Sequence, residues 1–314
     1  MNDRQLIDQV RNLLQPADPP PYLRGKVSSM IAGSAGPARW RFRRIATAGA
    51  AATTGVLALL ITSVISIGGE PTAASAQAAE ILQRAADAAR ADQTPAPRAE
   101  QFILTTTKGF APAGAQGQPA TTLTHAWMSV DGTHDSLIRV SDPPAGGQPS
   151  TVIPGCKNGQ AAEWAPDGSL LNSTRPCTPA PAYLQGLPTD ATKMLNYLQR
   201  MGGSSTRSNE ETFANVGALI RQGYLPAQSR AALYEAATKI PGVIASQTMT
   251  DAAGRSGIAV SLAGDIDRYD LIFEPKTYQF RGWQVVPKTE NAVQQSRREV
   301  ILSVSVVDRA GQMS

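Results

Sequence analysis

Few residues of this chain have the types and spacing that catalysis or metal binding requires. Its 314 residues include two histidines, His125 and His134, and two cysteines, Cys156 and Cys177. The sequence has no HExxH, GxSxG, CxxC, Walker or GxGxxG pattern, each of which sets reactive or ligating groups at a fixed spacing. Pairs of carboxylates occur only in contexts typical of turns and helix caps. We therefore predict no catalytic residue, no metal site and no cofactor, and keep a carboxylate-only hydrolase as a distant alternative.

Both histidines lie in a segment that predicts a β-hairpin. Asp131-Gly132 is a favoured pair for a two-residue turn, and it separates strand-like runs at 121–130 and 133–140. In that register His134 faces position 129 and His125 faces position 138, about four residues apart along the ladder. At about 3.3 Å per residue the two side chains are roughly 13 Å apart, which is too far for one metal ion or one proton relay. We expect both to be surface residues of the strands.

The two cysteines lie 21 positions apart in sequence rich in Pro and Gly. With no histidine nearby, they offer at most half of a zinc site. If this part of the chain is exported, two cysteines with no other candidate are expected to pair. We predict a disulfide between Cys156 and Cys177, which would stabilise the fold by roughly 3 kcal/mol on the chain-entropy estimate.

The strongest feature of the sequence is a predicted membrane span over residues 45–67. These 23 consecutive residues carry no charge, and as a helix they would reach about 34 Å, enough to cross a hydrocarbon core of roughly 30 Å. Four arginines precede the span directly: Arg39, Arg41, Arg43 and Arg44. The positive-inside rule then places the amino terminus in the cytoplasm and the carboxyl-terminal part outside the cell membrane. A cleaved signal peptide is the alternative, since residues 74–76 (ASA) resemble a cleavage site, although the leader and the apolar stretch are both long for one.

The distribution of charge argues against nucleic-acid binding despite a sequence pI of about 9.2. Residues 1–44 hold eight Lys or Arg and three Asp or Glu, whereas the other 270 residues hold 21 and 22. The excess positive charge therefore lies beside the predicted span, and not on a folded basic surface of the kind that binds nucleic acid. We expect the membrane to be the partner of these arginines.

The cytoplasmic region, residues 1–44, begins with a predicted amphipathic helix. Its apolar stripe consists of Leu6, Ile7, Val10, Leu13 and Leu14. A region this short cannot bury much surface by itself. We predict that the stripe binds a cytoplasmic protein; the alternatives are a helix lying on the inner leaflet, or a partly ordered tail that only sets the topology.

Outside the membrane, residues 68–98 are predicted as a linker and a helix, and residues 99–314 as an exported α+β domain. Strands come first, then three helices, then strands again, which favours a curved antiparallel sheet with a helical layer on one face. Such a layer would enclose an apolar pocket. The aromatic and aliphatic residues that could line it are Phe102, Leu104, Trp127, Phe273, Phe280 and Trp283.

Four sequence features, spread over most of residues 1–285, resemble those of a known group of proteins. They are the short leader broken by prolines, the Ala/Thr/Leu span, the alanine-rich segment 78–86 (AAEILQRAA) with EQF at 100–102, and a set of later blocks. Those blocks are LPTD at 187–190, YLP at 224–226, AALYEA at 231–236 and IPGV at 240–243. In these features the chain resembles actinobacterial single-pass membrane proteins that are usually encoded beside extracytoplasmic-function sigma factors.

This resemblance implies a membrane-anchored regulator or sensor that acts on a sigma factor in the manner of an anti-sigma factor. The exported half also resembles the half-barrel of lipoprotein carriers and of periplasmic sensors that bind anti-sigma factors. Residues 1–44 contain neither His nor Cys, unlike zinc-type anti-sigma factors. We expect a non-enzymatic exported sensor or binding domain, with possible sigma-factor regulation through the cytoplasmic segment. The alternative is an exported carrier of a lipid or other apolar ligand with no regulatory role.

Overall fold

The computed structural model describes residues 73–111, 120–143, 147–165, 168–201, 208–289 and 296–314. All of them belong to the second of the two units into which the chain divides, Val64–Ser314. The predicted cytoplasmic stripe, arginine cluster and membrane span therefore lie outside the described residues. Within the described ranges, no helix is long and apolar enough to cross a membrane.

Eleven strands occur in these ranges. Their bounds are β1 Phe102–Ala111, β2 Ala120–Ser129, β3 Ser136–Ser141, β4 Ser150–Ile153, β5 Gln160–Trp164, β6 Leu170–Pro176, β7 Ile244–Thr250, β8 Ser256–Ala263, β9 Asp267–Phe273, β10 Phe280–Pro287 and β11 Arg297–Val307. Nine of them pair antiparallel in the order β4-β3-β2-β1-β11-β10-β9-β8-β7, while β5 and β6 form a separate two-stranded sheet. Because β1 pairs with β11, the first and last strands meet in the middle of the large sheet.

Four helices occur in the same ranges: α1 Ala76–Arg90, α2 Ala191–Arg200, α3 Asn209–Gln222 and α4 Ala227–Thr238. Their starts have the expected caps, since the side chains of Ser75 and Asp190 each accept a backbone N–H bond at the first turn of α1 and α2. The predicted capping box of Ser208 and Glu211 opens α3. Apolar residues of all four helices form one core with β8 and β9. The predicted α+β class, with a large antiparallel sheet and a helical layer, is confirmed.

The predicted register of the β2–β3 hairpin is wrong by one residue. His125 pairs with Arg139, and His134 lies in a connection of six residues, 130–135, instead of in a strand. Local side-chain bonds build this longer connection, because the Ser129 hydroxyl accepts the N–H groups of Gly132 and His134. The backbone carbonyls of residues 129 and 130 accept bonds from residues 182 and 183, so they are not free to extend the ladder to β3.

The predicted disulfide between Cys156 and Cys177 is present, with the two Cα atoms 5.8 Å apart. Cys156 precedes β5 and Cys177 follows β6, so the bond closes the base of this hairpin. The backbone N–H of Cys156 donates to the carbonyl of Gly132. The disulfide therefore also holds the hairpin against the connection between β2 and β3.

Candidate ligand-binding cleft

A cleft of about 790 Å³ lies between the helices and the centre of the large sheet. The helices pack on β8 and β9, and leave the same face of β1 and β11 uncovered. Successive side chains of a strand point to opposite faces, so alternate residues of β1 form the floor of the cleft. The floor residues from β1, β11 and β2 are Ile103, Thr105, Thr107, Ile301, Val304, Val306 and Met128. This floor consists of apolar and threonine side chains, and Glu299 of β11 adds one carboxylate at the end of the cleft next to α3 and β10.

One wall of the cleft is the last turns of α1, which present the small side chains of Ala85, Ala88 and Ala89. Two backbone bonds fix the start of this helix, from Ala74 to the carbonyl of Thr238 and from Ser75 to the carbonyl of Val243. Alanines on α1 and α4 let the two helices pack closely. The wall is therefore a firmly docked helix that leaves room for a ligand.

Aromatic side chains close the remaining sides. The aromatic residues that line the cleft come from the α3–α4 connection, from α4, from the β9–β10 connection and from the start of β10; they are Tyr224, Tyr234, Tyr278 and Phe280. Tyr234 is fully buried, which raises the pKa of its hydroxyl to about 12. These rings add apolar contact area to the cleft.

Four arginines line the cleft, and three of them have a carboxylate partner. Arg230 pairs with Asp92, Arg255 with Asp251 and Arg281 with Glu274. Hydrogen bonds from Thr94, together with Arg230, lower the pKa of Asp92 to about 2. These ion pairs lie at the rim of the cleft, and carboxylates of the protein largely compensate the arginine charges.

The fourth arginine, Arg221, lies in the last turn of α3, and its guanidinium carbon is 4.1 Å from the centre of the Trp283 ring. Its Nε donates to the carbonyl of Gly217 at 3.2 Å. It lines both the main cleft and a small recess of about 70 Å³ beside β9 and β10. Among the described residues, no carboxylate lies within ion-pair distance of it.

One of the six residues predicted to line a pocket does line this cleft, namely Phe280. Phe102, Leu104 and Trp127 lie on the opposite face of the sheet, where the Trp127 indole donates to the carbonyl of Gln312 at 2.6 Å. Phe273 is buried in the helix-covered core, and Trp283 borders only the small recess. The structure has a pocket, as predicted, but it lies on the face of β1 and β2 opposite to the one that carries Phe102, Leu104 and Trp127.

The described residues contain no group of three or more His, Cys, Asp or Glu side chains that could hold a metal ion. His125 bonds with the hydroxyl of Thr106 at 3.1 Å, and His134 lies near Asp131 at 3.5 Å. The two histidines have separate partners, so the structure does not join them in one site. The predicted partner-binding and topology residues lie outside the described ranges.

No protein-family model matches the chain, and no curated protein matches its sequence. Among solved structures, the chain is similar to the MucA/MucB complex of Pseudomonas aeruginosa, at 10% identity and a TM-score of 0.27, covering 76% of this chain and 59% of that one. It is also similar to a LolA-superfamily protein from Nitrosomonas europaea, at 8% identity and a TM-score of 0.22, covering 75% and 94%. A putative outer-membrane lipoprotein-sorting domain from Vibrio parahaemolyticus matches at 5% identity and a TM-score of 0.27, covering 76% and 95%. The chain thus spans about three fifths of the first of these, and at such TM-scores the likeness assigns neither a ligand nor a partner to this chain.

Proposed function

We propose that this chain is a single-pass membrane protein whose exported domain binds an amphipathic ligand with an acyl chain, without catalysing a reaction on it. The observation that carries this proposal is the cleft of about 790 Å³ with a largely apolar floor and a polar rim. That volume is within the range of roughly 300–1,000 Å³ for sites that take small organic molecules. An acyl chain suits the floor, because each methylene that leaves water contributes about 0.8 kcal/mol.

The rim of the cleft supports binding in preference to catalysis. Arg230, Arg255 and Arg281 are engaged with carboxylates of the protein. The carboxylates of the cleft have partners as well, because Asp92 pairs with Arg230 and Glu299 accepts a bond from the Trp283 indole. A general base or nucleophile needs a free group aimed at the ligand. The polar groups of the rim are suited to orient a bound molecule.

Ligand binding in the cleft would serve one of two functions, sensing or transport. As a sensor, the protein would report the occupied cleft to a cytoplasmic partner, a sigma factor, through the apolar stripe of residues 1–44. As a carrier, it would hold and release the ligand with no cytoplasmic partner. Both uses require the same cleft, so its occupancy is the first property to test.

The test is photolabelling of the full chain in phosphatidylcholine vesicles, with a palmitic acid that carries a diazirine on its chain. We expect crosslinks on floor residues such as Thr105, Thr107 and Met128. Labelling confined to Leu104 and Trp127, on the opposite face of the same strands, would contradict the proposal.

A matched pair of variants localises the signal. Thr105→Trp fills the floor of the cleft, whereas Lys108→Trp places the same ring on the other face of β1, three residues away. Both positions are half-buried in the wild type. We expect Thr105→Trp to abolish cleft labelling and Lys108→Trp to retain it; equal labelling of the two variants would refute binding in the cleft.

A further inference from the structure

The arginines of the cleft differ in one respect that bears on the ligand. Three of them form ion pairs with carboxylates of the protein. Arg221 has none among the described residues. Glu299, whose charge acts on Arg221, accepts a bond from the Trp283 indole at 3.4 Å. Arg221 is therefore the cleft arginine whose charge the described protein leaves without a direct partner.

The surroundings of Arg221 hold its guanidinium in place. The ring of Trp283 lies against it, and the carbonyl of Gly217 accepts from Nε. Stacking on tryptophan and the bond from Nε leave the two terminal nitrogens, with four N–H donors, without a hydrogen bond to the described residues. Arg221 keeps solvent access in the cleft, so a bound molecule can reach those donors.

The side chain of Arg221 is exposed, and the protein atoms packed around its guanidinium shield it from water only in part. Packing of protein atoms around the guanidinium lowers the pKa of Arg221 from its ordinary value, and the negative charge of Glu299 opposes that shift only in part. An anion that bonds to the terminal nitrogens would compensate the charge. A planar guanidinium can donate two parallel hydrogen bonds to two oxygens of one carboxylate or phosphate.

We propose that Arg221 binds the anionic head group, a carboxylate or a phosphate, of the amphipathic ligand whose chain lies on the cleft floor. This inference rests on the proposed function, and it specifies the chemical class of the ligand. Chain and head group then have separate sites. The apolar part of the floor takes the hydrocarbon, and the end of the cleft at α3 and β10 takes the charge.

The experiment uses three photoreactive probes with the same 16-carbon diazirine chain, ending in a carboxylate, a phosphate or a hydroxyl. The full chain is reconstituted in phosphatidylcholine vesicles, and labelling of the cleft floor is quantified at equal mole fraction of each probe. We expect one or both anionic probes to label at least about tenfold more than the hydroxyl probe, as a charge-assisted pair implies. The anion with the stronger labelling identifies the head group.

Arg221→Gln should reduce labelling by the anionic probes to the level of the hydroxyl probe, without altering labelling by the hydroxyl probe itself. Arg84→Gln is the matched control, because Arg84 is also a helix arginine placed over an aromatic ring, that of Tyr278, but it is paired with Glu80 outside the cleft lining. It should leave the preference for anions unchanged. If Arg221→Gln does not fold, Arg221→Lys keeps the charge without the planar fork, and should retain part of the preference.

The outcomes separate this inference from the proposed function. If all three probes label the cleft equally in the wild type, or if Arg221→Gln keeps the preference for anions, the head-group site is refuted while the cleft stands. If no probe labels the cleft, the proposed function itself fails.

Discussion

Breaking the Cys156–Cys177 disulfide should release the β5–β6 hairpin and leave the nine-stranded sheet folded. The hairpin is a separate two-stranded sheet, and every residue of β6 is exposed. An isolated two-stranded hairpin is marginally stable in water. The disulfide closes a loop with a sequence separation of 21, for which the chain-entropy estimate is about 3 kcal/mol. Its loss should therefore raise the population of the opened hairpin by up to about 100-fold.

Amide hydrogen exchange on the full chain in phosphatidylcholine vesicles measures this opening segment by segment. The variant Cys156→Ala/Cys177→Ala is preferable to a serine variant, because Cys156 is 4% exposed and a serine would bury a hydroxyl there. We expect amides of β5 and β6 to lose up to about 100-fold of their protection. Amides of β9, in the core beneath the helices, serve as the internal control and should not change.

Two results would refute this reasoning. If β5 and β6 keep their protection without the disulfide, the contacts with the β2–β3 connection are sufficient to hold the hairpin. If β9 loses protection to the same extent, the hairpin is part of the cooperative core and not a separately opening segment.

Two further predictions concern the cytoplasmic stripe and the rim of the cleft. Val10→Asp/Leu13→Asp should abolish co-purification of a sigma factor while membrane insertion stays intact, because the two charges interrupt the apolar stripe; recovery of the same proteins as from the wild type would leave residues 1–44 as a topogenic segment. The depressed pKa of Asp92 stabilises the fold above pH 3.8, and this contribution is lost as the pH falls through about 2. Solvent access limits this contribution to the free energy of unfolding to at most about 2 kcal/mol. Asp92→Asn should therefore lower the melting temperature at pH 7 and flatten its dependence on acid pH. An unchanged acid dependence would contradict the ion pair of Asp92 with Arg230.

The helices could be predicted from the sequence because their signals are local. The spacing of apolar residues and the caps at Ser208 and Pro226 depend on neighbours within one or two turns. The disulfide was also predictable, since the chain offers only one pairing. The anti-sigma and carrier interpretations remain predictions, because the residues that would distinguish them lie outside the described ranges.

The face of the sheet that forms the cleft could not be predicted from β1 itself. Its first residues, Phe102, Ile103 and Leu104, are all buried, because both faces of the strand are covered at that end. Periodicity identifies a face only where one side is polar. The choice of face depends on where the helices dock, which is a tertiary property. The position of Arg221 in the cleft could not be predicted from the sequence either, because an arginine in the last turn of a helix is an ordinary feature.

The position of α1 relates the sensor hypothesis to the structure. This helix begins at Ala76, nine residues after the predicted span ends at Ile67, and its last turns form a wall of the cleft. A ligand on the floor would therefore contact the helix through which the domain is joined to the predicted span. Binding can shift a two-state element only if the ligand interacts differently with its two positions. A sensor consequently requires a change in the contacts between α1 and α4 when the cleft fills, whereas a carrier functions with α1 fixed.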